Sequence, residues 1–174
     1  SGVINVGDLG LITDAGAINN LAGGVINFAG EAIVRADDDQ NGSEIVINQG
    51  TINLLGGNTQ TVGFGGTDGD DLVNQGNGQI NINDGRLYVG DRLVNSSPGT
   101  AVGGIGGLDI GSAGEVSVAG GIVNNAGGEI TNAGTLYGEV ENNAGGTITS
   151  TGLVRGRFFQ NRGTTNAEGA ISHD

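Results

Sequence analysis

The sequence predicts an all-β chain folded as a right-handed parallel β-helix, a β-solenoid with rungs of about 18 residues and loop insertions. Three observations predict it. An 18-residue unit recurs with its apolar positions in phase. Short β-branched runs alternate with corners of Gly and Asn. The composition is also too poor in aromatics for a broad core: of 174 residues, 38 are Gly, 20 are Asn and six are aromatic, yet 36% are hydrophobic. Hydrophobicity at that level argues against disorder. The apolar residues therefore belong to a narrow architecture that needs few large side chains.

The repeat is clearest when Asn124 to Glu141, NNAGGEITNAGTLYGEVE, is set over Asn142 to Phe159, NNAGGTITSTGLVRGRFF, where nine of eighteen positions are identical. The apolar positions coincide: Ile130 with Ile148, Leu136 with Val154, Val140 with Phe158. Upstream, Val118 and Ile122 precede Leu136 and Val140 by eighteen. Looser copies lie earlier. Asn19 to Ile26 repeats the NNAGGxI string with one residue inserted, and Ile12 to Ile18 mirrors Ile130 to Leu136.

Each element of a rung has a local reason. Ile45-Val46-Ile47 is a β-branched run, and Gln79-Ile80-Asn81-Ile82-Asn83 alternates polar and apolar as a half-buried strand does. Gly-Gly, Asn-Gly and Ala-Gly pairs supply the tight corners. Stacking equivalent residues pairs each strand with the next copy at about 4.8 Å, so about eight rungs form a column roughly 40 Å long. Aliphatic columns fill it, and stacked asparagines, Asn124 over Asn142 and Asn125 over Asn143, form amide ladders. The right hand follows from the preference of parallel crossovers.

Residues 1–174 read as one domain. Three stretches break the period and read as loop insertions: 36–44, 56–71 and 91–107. Loops on a rigid scaffold are where recognition is expected. Near the C-terminus Arg155, Arg157 and Arg162, half of the basic residues, surround Phe158 and Phe159. One Phe stacking in the core beneath covering Arg stems is one reading, and a docking surface for a further module or a second copy is the other. The chain starts at Ser1 with no signal peptide in view and reads as a fragment or a processed form.

The formal net charge is −13, and all six basic residues are Arg. Such a field repels phosphate backbones and anionic membrane surfaces. No stretch approaches 18 apolar residues, so no membrane-spanning helix is expected. Divalent cations are the natural counterions. Asp37-Asp38-Asp39-Gln40-Asn41-Gly42-Ser43-Glu44 contains D-x-D-x-N-G, the opening of a calcium loop, and nominates Asp37, Asp39, Asn41 and Glu44 as oxygen ligands. The EF-hand pattern needs Glu at its twelfth position, where this chain has Asn48, so the competing reading is a solvated acidic loop. A weaker signal, Gly65 to Leu72, looks like one imperfect calcium-binding nonapeptide.

No enzyme is expected. The single His is His173, there is no Cys, and G-x-S-x-G and H-E-x-x-H are absent. Paired carboxylates could cleave polysaccharide across a groove, but Asp68, Asp70 and Asp71 share one loop, and only Phe64 and Tyr88 lie near enough to stack on sugar.

At NNAGGEITNAGTLYGEVENNAGGTITSTGLVRG the chain resembles the passenger domains of Gram-negative autotransporters and filamentous-haemagglutinin-like exoproteins. The resemblance covers Asn124 to Gly156 well, Leu11 to Gly30 fairly and the middle loosely. It implies a secreted β-helix at the bacterial cell surface that serves in adhesion, aggregation or matrix building. The expected role is thus an extracellular stalk, adhesin segment or self-assembling filament subunit, with the chain itself, further rungs, or host and matrix glycans or proteins as partners. The alternative is a β-helix that binds or cleaves polysaccharide.

Overall fold

The structure is a computed structural model that describes residues 2–7, 11–13, 18–30, 32–36, 45–56, 61–64, 71–98, 107–156 and 159–172. These residues form strands, turns and bends, and every strand pairing among them is parallel. The chain is a parallel β-solenoid with three strand-bearing faces per turn.

The first face stacks β1 (Val3–Val6), β4 (Val25–Phe28), β7 (Thr51–Leu54), the first half of β10 (Gln79–Val89), the first half of β12 (Leu108–Val118), β14 (Glu129–Asn132), β17 (Thr147–Ser150) and β20 (Thr164–Ala167). The second face stacks β2 (Leu11–Thr13), β5 (Ala32–Ala36), β8 (Thr61–Phe64), the second halves of β10 and β12, β15 (Thr135–Tyr137), β18 (Leu153–Arg155) and β21 (Ile171–Ser172). The third face is a separate seven-stranded sheet: β3 (Ile18–Asn20), β6 (Ile45–Asn48), β9 (Asp71–Asn74), β11 (Arg92–Asn95), β13 (Gly121–Asn124), β16 (Val140–Asn142) and β19 (Phe159–Asn161). Counted along the first face, the rungs number eight.

The core is a set of aliphatic columns. On the first face Ile26, Ile52, Ile80, Leu108, Ile130 and Ile148 succeed one another in register, all buried. On the third face the column runs Val46, Leu72, Leu93, Ile122, Val140. Leu87, Val116, Leu136 and Val154 close the second. Burying each such side chain stabilises the fold by roughly 1.5–3 kcal/mol before chain entropy is counted. Because a rung is thin, one or two inward side chains per face and level suffice, and the chain dispenses with Trp and Met.

The rung length is not constant. Partners on the first face lie 22 apart at Val3 and Val25, 26 apart at Val25 and Thr51, and 28 apart at Thr51 and Gln79. On this face the spacing falls to 18 at Ile130 and Ile148 and to 17 at Thr147 and Thr164. This corrects several alignments made at fixed period. Leu136 stands beside Val116, not Val118, because β12 is continuous around the first corner and uses a different number of residues there. Val140 stands beside Phe159, not Phe158, because this step takes 19 residues where Leu136 to Val154 takes 18. Phe158 itself lies outside the described residues. Ile12 belongs to the second face and Ile18 to the third, whereas Ile130 and Leu136 occupy the first and second, so that local likeness is one face out of step.

Two stretches read as insertions also contain strands. β8 lies inside 56–71 and pairs with β5 and β10; β11 lies inside 91–107 and pairs with β9 and β13. A fixed 18-residue template hides both, since these rungs are among the longest.

Candidate functional site

The described residues present three features: a buried asparagine ladder, a second asparagine ladder on the outward side of the first face, and one outward column of mixed aromatic and charged residues.

The inner ladder sits where the third face turns into the first. Asn20, Asn48, Asn74, Asn95, Asn124, Asn142 and Asn161 stack in register. Each Nδ2 donates to the Oδ1 of the next rung, at 2.7 to 2.9 Å through all six steps. The second amide proton goes to a main-chain carbonyl that opens the first face one rung on: Thr51, Gln79, Gly107, Glu129, Thr147 and Thr164 in turn. Asn48, Asn74, Asn95, Asn124 and Asn142 are fully buried. A buried amide left unpaired costs about 1–3 kcal/mol per group, which is why the site accepts a side chain with both a donor and an acceptor at the same reach.

A column of seven glycines makes room for it: Gly24, Gly50, Gly78, Gly107, Gly128, Gly146 and Gly163 each precede a first-face strand. A methyl at Gly128 would sit 2.5 Å from Asn124 Oδ1, and one at Gly146 2.6 Å from Asn142 Oδ1. Here glycine is required by close approach. One residue earlier Gly127 and Gly145 adopt φ of 80° and 85°, completing turns closed from Gly128 N to Asn125 O and from Gly146 N to Asn143 O.

The predicted pair Asn125 and Asn143 forms a shorter, outer step at 3.1 Å, with Asn125 donating onward to Ser96 Oγ. Ile130 beside Ile148, Leu136 beside Val154, and Asn124 beside Asn142 are brought together as the spacing requires. The turns at Asn20, Asn48 and Asn74 are legible in the sequence as copies of the same turn, but neither they nor Asn95 and Asn161 can be assigned to the ladder by period, because the separations of 28, 26, 21, 29 and 19 residues follow none. The signal that could have found them is the recurring apolar–Asn dipeptide in Ile47-Asn48, Val73-Asn74, Val94-Asn95 and Val123-Asn124.

A second ladder runs up the outward side of the first face. Asn5, Asn27, Asn53 and Asn81 stack in register, and here each Nδ2 donates backward to the preceding Oδ1, at 2.8 to 2.9 Å. The column then changes residue: Asp109, Thr131, Thr149, Asn166. Asn81 Oδ1 is buried and has no hydrogen-bond partner. Burial raises the pKa of Asp109 above its ordinary value.

On the second face an outward column carries Tyr88, Ser117, Tyr137 and Arg155. Tyr88 is 43% exposed. Beside it Arg86 and Glu115 form an ion pair at 2.7 Å. A depression of about 280 Å³ is lined by Tyr137, Gly138, Glu139, Arg155 and Gly156 together with Val118 and Ala119. Phe159 packs against the core from the third face, and Arg155 and Arg162 are exposed. Arg157 lies outside the described residues.

The calcium candidates Asp37, Asp39, Asn41 and Glu44 also lie outside the described residues, as do Asp68 and Asp70. Segments 37–44 and 65–70 connect β5 to β6 and β8 to β9, so they join the same two faces in successive rungs.

No protein-family profile, curated protein or solved structure matches the chain. Among the described residues no helix is long and apolar enough to cross a membrane.

Proposed function

We propose that the chain is a rigid structural segment of an extracellular bacterial surface protein: a stalk, an adhesin passenger segment or a self-assembling filament or matrix subunit. The observation that carries this reading is the unbroken inner ladder beside continuous aliphatic columns. Seven asparagines and their backbone acceptors tie seven successive rungs together along the solenoid. A linear array of rungs cross-linked in this way resists bending and local opening, which is the property a projecting rod needs. The likeness of Asn124 to Gly156 to autotransporter and filamentous-haemagglutinin repeats supports the same role and an extracellular location. The acidity of the chain disfavours nucleic acid as a partner.

At the first edge Val3 and Ile4 are exposed at 64% and 48%, in column with the core residue Ile26 in the case of Ile4. Further rungs or a second copy would cover this apolar edge. Electron microscopy of the purified chain tests the assembly reading: rods or filaments that lengthen with concentration are expected, and compact monomers at all concentrations would count against a filament subunit. Calcium bound by Asp37, Asp39, Asn41 and Glu44 would raise the melting temperature in millimolar calcium over EDTA. An Asp37→Asn, Asp39→Asn double variant is expected to lose that difference.

One observation favours the second reading, polysaccharide binding. Tyr88 and Tyr137 project from one outward column two rungs apart, about 9–10 Å along the axis at the usual strand spacing, with Arg155 in the next rung. Flat, amphipathic rings at that interval suit an extended sugar chain. A glycan array with the parent and a Tyr88→Ala variant, run with a reducing-sugar assay, decides between binding, cleavage and neither.

A further inference from the structure

The outer ladder stops at Asn81 for a chemical reason. Its three bonds all run the same way: Asn27 to Asn5, Asn53 to Asn27, Asn81 to Asn53. In that sense every Oδ1 faces the following rung and needs a donor there. For Asn81 the following rung supplies Asp109, its direct register partner, and Asn81 Oδ1 is buried with no hydrogen-bond partner among the described residues. An ionised carboxylate only accepts hydrogen bonds, whereas a protonated one also donates. Two oxygens in register, both acceptors, repel.

We propose that Asp109 continues the outer ladder as a neutral acid, donating its carboxyl proton to Asn81 Oδ1, and that ionisation of Asp109 breaks the ladder between the fourth and fifth rungs. The device is a pH-sensitive staple built into one face of the rod.

The surroundings favour the neutral form. From β10 the outward residues near Asp109 are Gln79, Asn81 and Asn83, followed by Asp84 at the register shift; from β14 they are Glu129 and Thr131. Arg86, further along β10, is engaged with Glu115 of β12. Asp91 and Arg92 belong with Gly120 and Gly121, on the third-face side of the rung. No cation faces Asp109 from these strands. Its half-burial raises its pKa, consistent with a proton held more tightly by the folded chain than by the unfolded one. The stabilising contribution is therefore complete below the ordinary aspartate range and is lost as pH rises through the raised folded value.

The test has a direct arm and a variant arm. Carbon-13 NMR of the side-chain carboxyl in the unmodified chain should show Asp109 titrating above the ordinary aspartate range. Asp109→Asn supplies a permanent donor at the same place. At neutral pH it should unfold at higher denaturant than the parent, and the gap should narrow as the solution is acidified. Glu129→Gln removes an exposed acid from the same face without touching the ladder, and should give a smaller gain at neutral pH. Equal gains from the two variants would reduce the effect to charge removal and overturn the proposal. So would an Asp109 that titrates below its ordinary range, because the ladder would then run in the opposite sense, with Asn81 Nδ2 donating to the carboxylate. A gain from calcium chloride at neutral pH that is present in the parent and lost in Asp109→Asn would put a metal ion in place of the proton.

Discussion

The two asparagine ladders are built from the same side chain at the same strand spacing, yet one runs through seven rungs and the other through four. The difference is what surrounds the amide. In the inner ladder both amide protons and the carbonyl are consumed, one proton by the next asparagine and one by a main-chain carbonyl. The corner is dry, so a rung without asparagine would leave several groups unpaired. In the outer ladder only the column bonds exist, and one side faces solvent. Water can reach much of that column, so Thr131 and Thr149 are tolerated; the exception is Asn81 Oδ1, which is buried opposite Asp109. Burial, more than repetition, sets how strictly a ladder must be kept.

Replacing Asn95 with Ala should have the largest effect. It strips Asn124 Oδ1 and Glu129 O of a donor and Asn74 Nδ2 of an acceptor, all in the buried corner. A loss of about 3 kcal/mol or more is expected from two or three buried groups at about 1–3 kcal/mol each. Denaturant titration read by circular dichroism measures it.

Gly146→Ala comes next. Its methyl would press on Asn142 Oδ1, Asn124 Nδ2 and Asn124 O at 2.6 to 2.9 Å, closer than a side-chain carbon tolerates, so the ladder atoms must shift. A cost of about 1–3 kcal/mol follows for overpacking of this kind. The same substitution at Gly127, where the obstacle is φ rather than space, should cost less if packing dominates at this corner.

Asn53→Ala removes two bonds from the outer ladder, to Asn27 and from Asn81. Both orphaned groups border solvent, so about 1 kcal/mol is expected. A loss as large as that of Asn95→Ala would collapse the distinction between the ladders. Arg86→Ala should be smallest: the ion pair with Glu115 lies at 2.7 Å, but the Arg side chain is 52% exposed, and such pairs contribute about 0.2–1 kcal/mol.

A further orphan marks where the two kinds of column meet. Asn132 takes over a core position held below by Ile110, donates to Ser150 Oγ and Leu153 O, and leaves Oδ1 unpaired against the aliphatic column. Three rungs from the end of the first face, the interior of that column changes from hydrocarbon to hydrogen bonds.

The sequence by itself determined the architecture and its chemistry. Parallel stacking, a narrow aliphatic core, glycine corners and asparagine ladders all follow from short-range composition and from one stretch, Asn124 to Gly156, where insertions are absent and like residues fall eighteen apart. The same stretch gave Ile130 beside Ile148 and Asn124 beside Asn142. Only the tertiary structure decided which residues share a column elsewhere. Corner length costs little free energy, so rungs vary from 17 residues at Thr147 and Thr164 to 30 at Ala32 and Val62, and distance along the chain stops reporting height along the axis. It also decided the sense of each ladder and the meeting of Asn81 with Asp109, because both depend on which strand lies above which, and strand pairing is settled by burial across the whole rung.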